Sequence, residues 1–224
     1  MPTRSPPTPP LPARTLYSRR TRLYDLMLRL LRYRQGLVRF FAGAEFLRPG
    51  LNVLDAGCGT GAATLALHAA PAGRGLLPAR FTGFDLTPLM LRRFRKALDN
   101  HPIAGIELLI ANVLQLQALP ASWRNYDLVV SSAMLEYLPK ADLPRALRGL
   151  GERLNSTGTL VVFISRQTPF MVPLIQQWWQ ANLYDKQELR AAFADAGFSQ
   201  VDFQSFPSFY GYLNAWGHVV VARP

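Results

Sequence analysis

Two aspartates and a run of alternating glycines are the residues in this chain whose types and spacing could do chemistry. The stretch Val53-Leu54-Asp55-Ala56-Gly57-Cys58-Gly59-Thr60-Gly61 sets a glycine at every second position behind an acid. Glycines so spaced let the backbone turn sharply and approach a ligand where a Cβ would collide. The helix expected after them aims its free amides into the same space. Such a loop is unspecific alone, and Gly57-x-Gly59-x-x-Ala62 also fits the looser nicotinamide or flavin fingerprint. A second acid, Asp85, closes the next apolar run. Its carboxylate can accept both hydroxyls of a ribose, at roughly 1.5–3 kcal/mol per charged hydrogen bond. Asp55 lies under the loop, where it can orient the turn or meet a positively charged amino group. Asp85 also has a structural reading as a helix cap, because Thr87-Pro88 follows it. Cys58 reads as a small packed residue, since nothing cationic or basic stands beside it.

Positioning these groups requires strands that end together. From Leu51 onward short apolar runs alternate with helical patterns, the signature of a parallel α/β sheet. Strands are predicted near 51–55, 80–85, 106–110, 126–131, 158–164, 201–205 and 217–222, and helices near 61–70, 88–99, 141–154 and 186–196. Thr87 is predicted to cap the second of these helices with Pro88 in its first turn, and Gly197 to stop the last. The fold class is therefore α/β: a seven-stranded, mostly parallel Rossmann-like sheet with helices on both faces and an antiparallel last strand. Open sheets of this kind bind ligands at the carboxyl ends of their strands, near the topological switch point.

Composition narrows the function classes. The 224 residues are 49% hydrophobic and 17% charged, enough for a sizeable core and against a mainly disordered chain. The single cysteine excludes a disulfide scaffold and a site of several thiolates, and the scattered His68, His101 and His218 give no metal-ligand spacing, so no metal is expected. The net charge of +11 is concentrated at one end. Residues 1–48 hold ten arginines against Asp25 and Glu45, a net of +8, which leaves +3 for 49–224. The organisation expected is a Pro/Arg-rich flexible arm (1–22), a basic amphipathic helical segment packing on the domain (23–48), and the domain itself (49–224). Within the second part a helix is predicted from the arginine cluster through about Phe41, with Leu23, Leu26, Met27, Leu30, Leu31, Val38 and Phe41 on one side. Its arginines either face water or lie on an anionic membrane or nucleic acid. The arm lacks the uninterrupted apolar core of a secretory signal, although its Arg/Ser/Thr-rich opening has some character of an organelle transit peptide. The uncharged runs 167–184 and 203–222 are broken by Pro, Gln, Asn and Gly and do not read as membrane spans. The expected location is cytoplasmic, with peripheral membrane contact through residues 1–40 open.

The segment VLDAGCGTG, with Asp85 ending the second strand and Tyr126–Pro139 (YDLVVSSAMLEYLP) similar to the family's post-fourth-strand segment, resembles the class I S-adenosylmethionine-dependent methyltransferases. The resemblance runs from about residue 50 to the carboxyl terminus. It implies S-adenosyl-L-methionine as cofactor and S-adenosyl-L-homocysteine as product. The glycine stretch would wrap the methionine part, Asp85 would hold the ribose, and Ala111-Asn112-Val113 would flank the adenine. Many relatives have an acid where Asn112 stands, and an amide can still meet the adenine amino group through its oxygen. Relatives often carry His where Tyr137 stands, so any role of that His does not transfer. LYDLMLRLL (Leu23–Leu31) resembles the quinone-biosynthesis-type methyltransferases, in which a Tyr near this place closes over the cofactor. The cofactor-binding set so implied is Tyr24, Asp55, Ala56, Gly57, Cys58, Gly59, Gly61, Asp85, Leu86, Asn112, Val113, Ser131 and Ser132.

Methyl transfer from a sulfonium is an in-line displacement in which orientation alone supplies about 7–11 kcal/mol. A base is required only when the acceptor must lose a proton. Candidate bases are Glu136, Tyr137, Tyr210 and His218. Two aromatic inserts, near 168–183 (Phe170, Met171, Trp178, Trp179) and 206–216 (FPSFYGYLNAW), either cap an apolar or aromatic acceptor or complete the core. The partner expected is a small, lipophilic acceptor, its atom and the oligomeric state unassigned. The alternatives are a nucleic-acid methyltransferase using the arginine arm, a non-catalytic cofactor-binding relative, and a nicotinamide oxidoreductase. The +3 domain, without an Asn-Pro-Pro-Tyr-like motif, weighs against the first, and Asp55 with Tyr126–Pro139 against the last.

Overall fold

A computed structural model describes residues 27, 29–70, 80–168 and 181–224. Seven strands build one sheet: β1 (Asn52–Ala56), β2 (Arg80–Asp85), β3 (Glu107–Ile110), β4 (Tyr126–Ser132), β5 (Leu154–Ser165), β6 (Gln200–Gln204) and β7 (Gly217–Arg223). Their order is β3-β2-β1-β4-β5-β7-β6. The first five are mutually parallel, and β7 runs antiparallel to both of its neighbours, as expected for the last strand. The helices are α1 (Tyr33–Ala42), α2 (Ala62–Ala69), α3 (Pro88–Asn100), α4 (Leu143–Gly151) and α5 (Lys186–Asp195). The order reverses between β1 and β4, which puts the switch point where β1 ends at the glycine loop.

Strand side chains alternate between two cores, one on each face of the sheet. Leu160, Val162 and Ile164 of β5 join the core under α4 and α5, and Val161 and Phe163 join the core under α1 and α2. Both faces are apolar, which is why these strands read as continuous hydrophobic runs. Helix α1 buries Leu37, Phe40 and Phe41, with the Phe40 ring edge-on to Phe163 at 5.3 Å and 6.0 Å from Phe206. Burying each of these side chains is worth about 1.5–3 kcal/mol. Phe40→Ala would cost about 3–5 kcal/mol and loosen this helix first.

Several predicted boundaries are corrected. The helix expected to run unbroken to about Phe41 is interrupted at residues 31–32, where Arg32 has φ 47°, and α1 starts after it. Residues 1–26, and Tyr24 with them, lie outside the described residues. The helix predicted over 141–154 ends at Gly151, against which the Phe198 ring packs. Leu154 instead opens β5 opposite Tyr126, because Arg153 O accepts the Tyr126 N–H and its guanidinium donates to Leu116 O and Trp123 O. That strand therefore begins four residues before the predicted 158. Thr87 stands at the start of α3 but its hydroxyl does not cap the helix; Asp85 Oδ1 accepts the Thr87 N–H at 2.8 Å instead. Gly197 follows α5 at φ 95°, a left-handed stop that glycine adopts without strain. No helix among the described residues is long and apolar enough to cross a membrane.

Candidate functional site

The glycine loop is a hydrogen-bonded turn at the carboxyl end of β1. Gly57 N and Cys58 N both donate to Phe84 O, at 2.8 and 2.9 Å, and Gly61 N donates to Cys58 O at 2.8 Å. Gly57, Gly59 and Gly61 hold φ of 73°, 53° and 87°, left-handed values that cost other residues roughly 1–2 kcal/mol each. The three serve different ends. A Cβ at Gly57 would strike the Met134 side chain, and one at Gly61 the Phe94 ring. A Cβ at Gly59 would meet nothing nearer than Gly57 O at 4.0 Å, so the middle glycine faces open space.

The two aspartates bracket this loop. Asp85 Oδ2 accepts the Gly59 N–H at 2.9 Å while Oδ1 holds Thr87 N–H. Each oxygen keeps a second lone pair for another donor. Burial pushes the Asp85 carboxyl above its ordinary value, partly opposed by those backbone N–H groups. Asp55 is almost fully enclosed; its Oδ2 accepts Thr64 Oγ1–H at 2.6 Å and Thr64 N–H at 3.1 Å, and its Oδ1 has no partner among the described residues. Burial moves Asp55 from 3.8 up to about 7, against the pull of the Thr64 bonds.

A second polar group gathers where β4 and β5 end. Glu136, 3% exposed, accepts Ser165 Oγ–H on Oε1 at 2.9 Å and leaves Oε2 without a partner among the described residues. Burial raises its carboxyl from 4.5 to about 7. Tyr33 Oη pairs with Ser132 Oγ at 2.8 Å across 99 residues of chain. Burial raises the Tyr33 phenol, and the charges of Glu136 and Asp55 add to the shift, so this ring stands within electrostatic reach of both carboxylates. Of the described residues' ion pairs, none involves Asp55, Asp85 or Glu136.

The residues singled out from sequence divide clearly. Asp55, Ala56, Gly57, Cys58, Gly59, Gly61, Asp85, Leu86, Asn112, Val113, Ser131 and Ser132 all lie at the carboxyl ends of β1, β2, β3 and β4 or in the turns that follow. Asn112 Oδ1 already accepts the Leu114 N–H at 2.9 Å, starting a 3-10 turn over Val113–Ala118. Ser131 Oγ is buried without a partner among the described residues. Cys58 is buried and free, its thiol pushed up by burial. The candidate bases separate. Glu136 belongs to the group beside the loop. Tyr137 is half-buried with Met27 and Trp216 against Ala181 and Leu183. Tyr210 packs into the core beside Phe206 and Leu213. His218 is buried on β7, its Nε2 3.1 Å from Tyr184 O and its ring edge-on to Phe203 at 5.7 Å; burial lowers its pKa. Of the insert 206–216, Phe206, Tyr210 and Leu213 turn inward while Phe209 and Tyr212 face solvent. Phe170, Met171, Trp178 and Trp179 lie outside the described residues. Among the described residues no cluster of three or more metal-binding side chains occurs.

Sequence reasoning missed Tyr33 and Ser165. Tyr33 sits between Arg32 and Arg34, in a stretch read for its charge, and Ser165 is one unremarkable hydroxyl after an apolar strand. No local signal distinguishes either; the sheet brings them together.

A family model described as a methyltransferase domain matches residues 53–158. The chain is similar to a carboxy-S-adenosyl-L-methionine synthase of Psychrobacter sp. (strain PRwf-1), 28% identical over 145 residues, 62% of this chain and 51% of the relative. It is also similar to a magnesium-protoporphyrin O-methyltransferase of Rhodobacter capsulatus, 28% identical over 137 residues, 61% of this chain and 54% of the relative. The chain thus spans about half the length of these curated relatives. In fold it is like the crystal structure of magnesium protoporphyrin IX methyltransferase from Synechocystis PCC 6803 with bound SAM, at a TM-score of 0.61 and 19% identity, covering 90% of this chain and 83% of that one. The glycine loop, the acid after β2 and the sheet order, joined to these matches, make residues 53–158 a methyltransferase domain of the class I S-adenosylmethionine-dependent kind.

Proposed function

We propose that this chain binds S-adenosyl-L-methionine at the glycine loop and transfers its methyl group to a small, lipophilic or aromatic acceptor. The observation that carries the reading is the pair of buried carboxylates, Asp55 and Asp85, bracketing the loop with no ion-pair partner among the described residues. Buried carboxylates left without a cation favour a positively charged ligand over one carrying phosphates. Asp55 Oδ1, buried and bare, suits an ammonium group. Asp85, whose two oxygens retain lone pairs, suits a ribose diol. The open side of Gly59 leaves room for a ligand to approach the backbone. Bound there, S-adenosylmethionine would supply an electrophilic methyl group and depart as S-adenosylhomocysteine.

This chain's residues would then orient the acceptor, exclude water and manage its proton. Glu136 is the group best suited to take that proton, because its Oε2 is bare and its carboxyl sits near 7. Ser165 fixes its other oxygen, and the Tyr33–Ser132 pair supplies neighbouring hydroxyls. Half-buried Tyr137 and Trp216 over Ala181 and Leu183 support an apolar, ring-bearing acceptor. Tyr210 and His218, committed to core packing, are set aside as bases. Titration calorimetry with S-adenosylmethionine, S-adenosylhomocysteine and NADH in parallel tests the reading. Selective micromolar binding of the first two is expected, followed by turnover on a panel of lipophilic phenols and quinone precursors. Binding of NADH alone would overturn the assignment of the loop, and cofactor binding without turnover on any acceptor would leave a binding protein rather than an enzyme.

A further inference from the structure

Among the described residues four large apolar side chains stand in solvent: Leu30 at 75% exposure, Phe209 at 71%, Ile110 at 53% and Tyr212 at 44%. Three of the four belong to one region. Tyr212 Oη donates to Leu31 O at 2.7 Å, which ties the 3-10 segment Ser208–Ala215 to the turn just before α1, next to Leu30. The Phe209 ring is edge-on to Tyr210 at 5.1 Å, and Tyr210 lies 6.3 Å from Tyr212. Arg29 and Arg32 flank Leu30 and Leu31 and are exposed. Residues 27–44 contain four arginines, Arg29, Arg32, Arg34 and Arg39, and no acid. None of the four forms an ion pair with a described carboxylate.

We propose that this face docks on an anionic lipid bilayer, with Leu30, Phe209 and Tyr212 at the level of the headgroups and Arg29 and Arg32 against lipid phosphates. The pairing of exposed aliphatic and aromatic side chains with acid-free positive charge is what an interfacial surface requires. A second copy of the chain would set the same arginines against one another. A nucleic acid would use the arginines and could stack on Phe209, but it offers nothing to Leu30. A bilayer satisfies all three kinds of side chain together. The inference stands on this surface alone and does not depend on methyl transfer, although a lipophilic acceptor would concentrate in the same bilayer.

Flotation of the full chain with vesicles of phosphatidylcholine, alone or mixed with phosphatidylglycerol, tests it. The chain should float with the mixed vesicles only, and less so as salt rises. Leu30→Ser and Phe209→Ser should each weaken partitioning about tenfold or more. Arg29→Gln and Arg32→Gln should each weaken it about fivefold. Calorimetric binding of S-adenosylmethionine, unchanged in these exposed-residue variants, would verify that they fold; a shared cooperative melting transition serves if that cofactor does not bind. The proposal fails if the chain ignores both vesicles, or binds single-stranded RNA while ignoring them. It also fails if Leu30→Ser and Phe209→Ser leave partitioning intact while Arg19→Gln, Arg20→Gln and Arg22→Gln together abolish it, since the upstream arginines would then be the membrane contact.

Discussion

Asp127 and Asp55 are the same residue type on neighbouring strands of one sheet, at opposite ends, and they are finished differently. Asp127, at the amino end of β4, accepts from Asn52 N at 2.8 Å, Arg48 Nη2 at 2.8 Å and Asn155 Nδ2 at 2.9 Å. Burial pushes its carboxyl up, but those donors together outweigh it and hold the group below its ordinary value. Among the described residues Asp55, at the carboxyl end of β1, is served only by Thr64 and keeps one buried oxygen bare, so burial wins and the carboxyl rises to about 7. Glu136 repeats the unfinished pattern, with Ser165 as its one partner side chain among the described residues. A carboxylate whose bonds are all made by the fold stabilises the fold. One that is buried and left incomplete carries a cost that a ligand can offset.

The largest effect that would break this contrast is at Asp85. Asp85→Ala should weaken S-adenosylmethionine binding at least about hundredfold in calorimetry, because two charged hydrogen bonds are worth roughly 1.5–3 kcal/mol each. Unchanged affinity in a variant that still melts cooperatively would remove the ribose role. Next is Glu136→Gln, which keeps the Ser165 bond but cannot take a proton. Turnover should fall about hundredfold with the acceptor KM little changed, as steady-state kinetics would report.

Protonation gives a smaller, graded effect. A cationic ligand favours ionised Asp55, so its affinity should fall about tenfold between about pH 8 and about pH 6, as the group takes up a proton below about 7. Calorimetry in buffers of different ionisation enthalpy should show proton release on binding within that window. Stability runs the other way. The folded state holds these protons more tightly than the unfolded chain, so Asp55 and Glu136 destabilise the fold increasingly as pH rises from their ordinary values of 3.8 and 4.5 to about 7. Asp127, lowered instead, stabilises above its ordinary 3.8 and loses that contribution as pH drops through its folded value. The smallest effect belongs to that end of the sheet. Asp127→Ala should cost about 1–2 kcal/mol in denaturant unfolding, discounted for the exposed Arg48 partner, and leave cofactor affinity where it was.

Much of the frame was legible because its signals are local. The apolar runs around Leu54, Phe84 and Val130 marked strands, Pro88 and Gly197 marked helix ends, and the glycine spacing marked the turn. Boundaries failed where a distant side chain set them. Gly151 ends α4 under Phe198, and Arg153, held by Leu116 O and Trp123 O, hands the chain into β5 early. The candidate bases show the same limit. Glu136, Tyr137, Tyr210 and His218 were all candidates as letters, yet the fold packs Tyr137 against Ala181 and Leu183, buries Tyr210 among apolar side chains and ties His218 to Tyr184 O, while Glu136 keeps an oxygen bare among the described residues where β4 and β5 end.

By itself the sequence determined the sheet, the glycine turn and the acids that bracket it, since φ preference, alternation and capping act over a few neighbouring residues. Only the tertiary structure decided which polar groups meet there. Tyr33 reaches Ser132 across 99 residues, and Ser165 reaches Glu136 across 29. Such encounters depend on how α1, β4 and β5 pack, and whether a buried carboxylate keeps an unmatched oxygen depends on every donor that packing brings within reach.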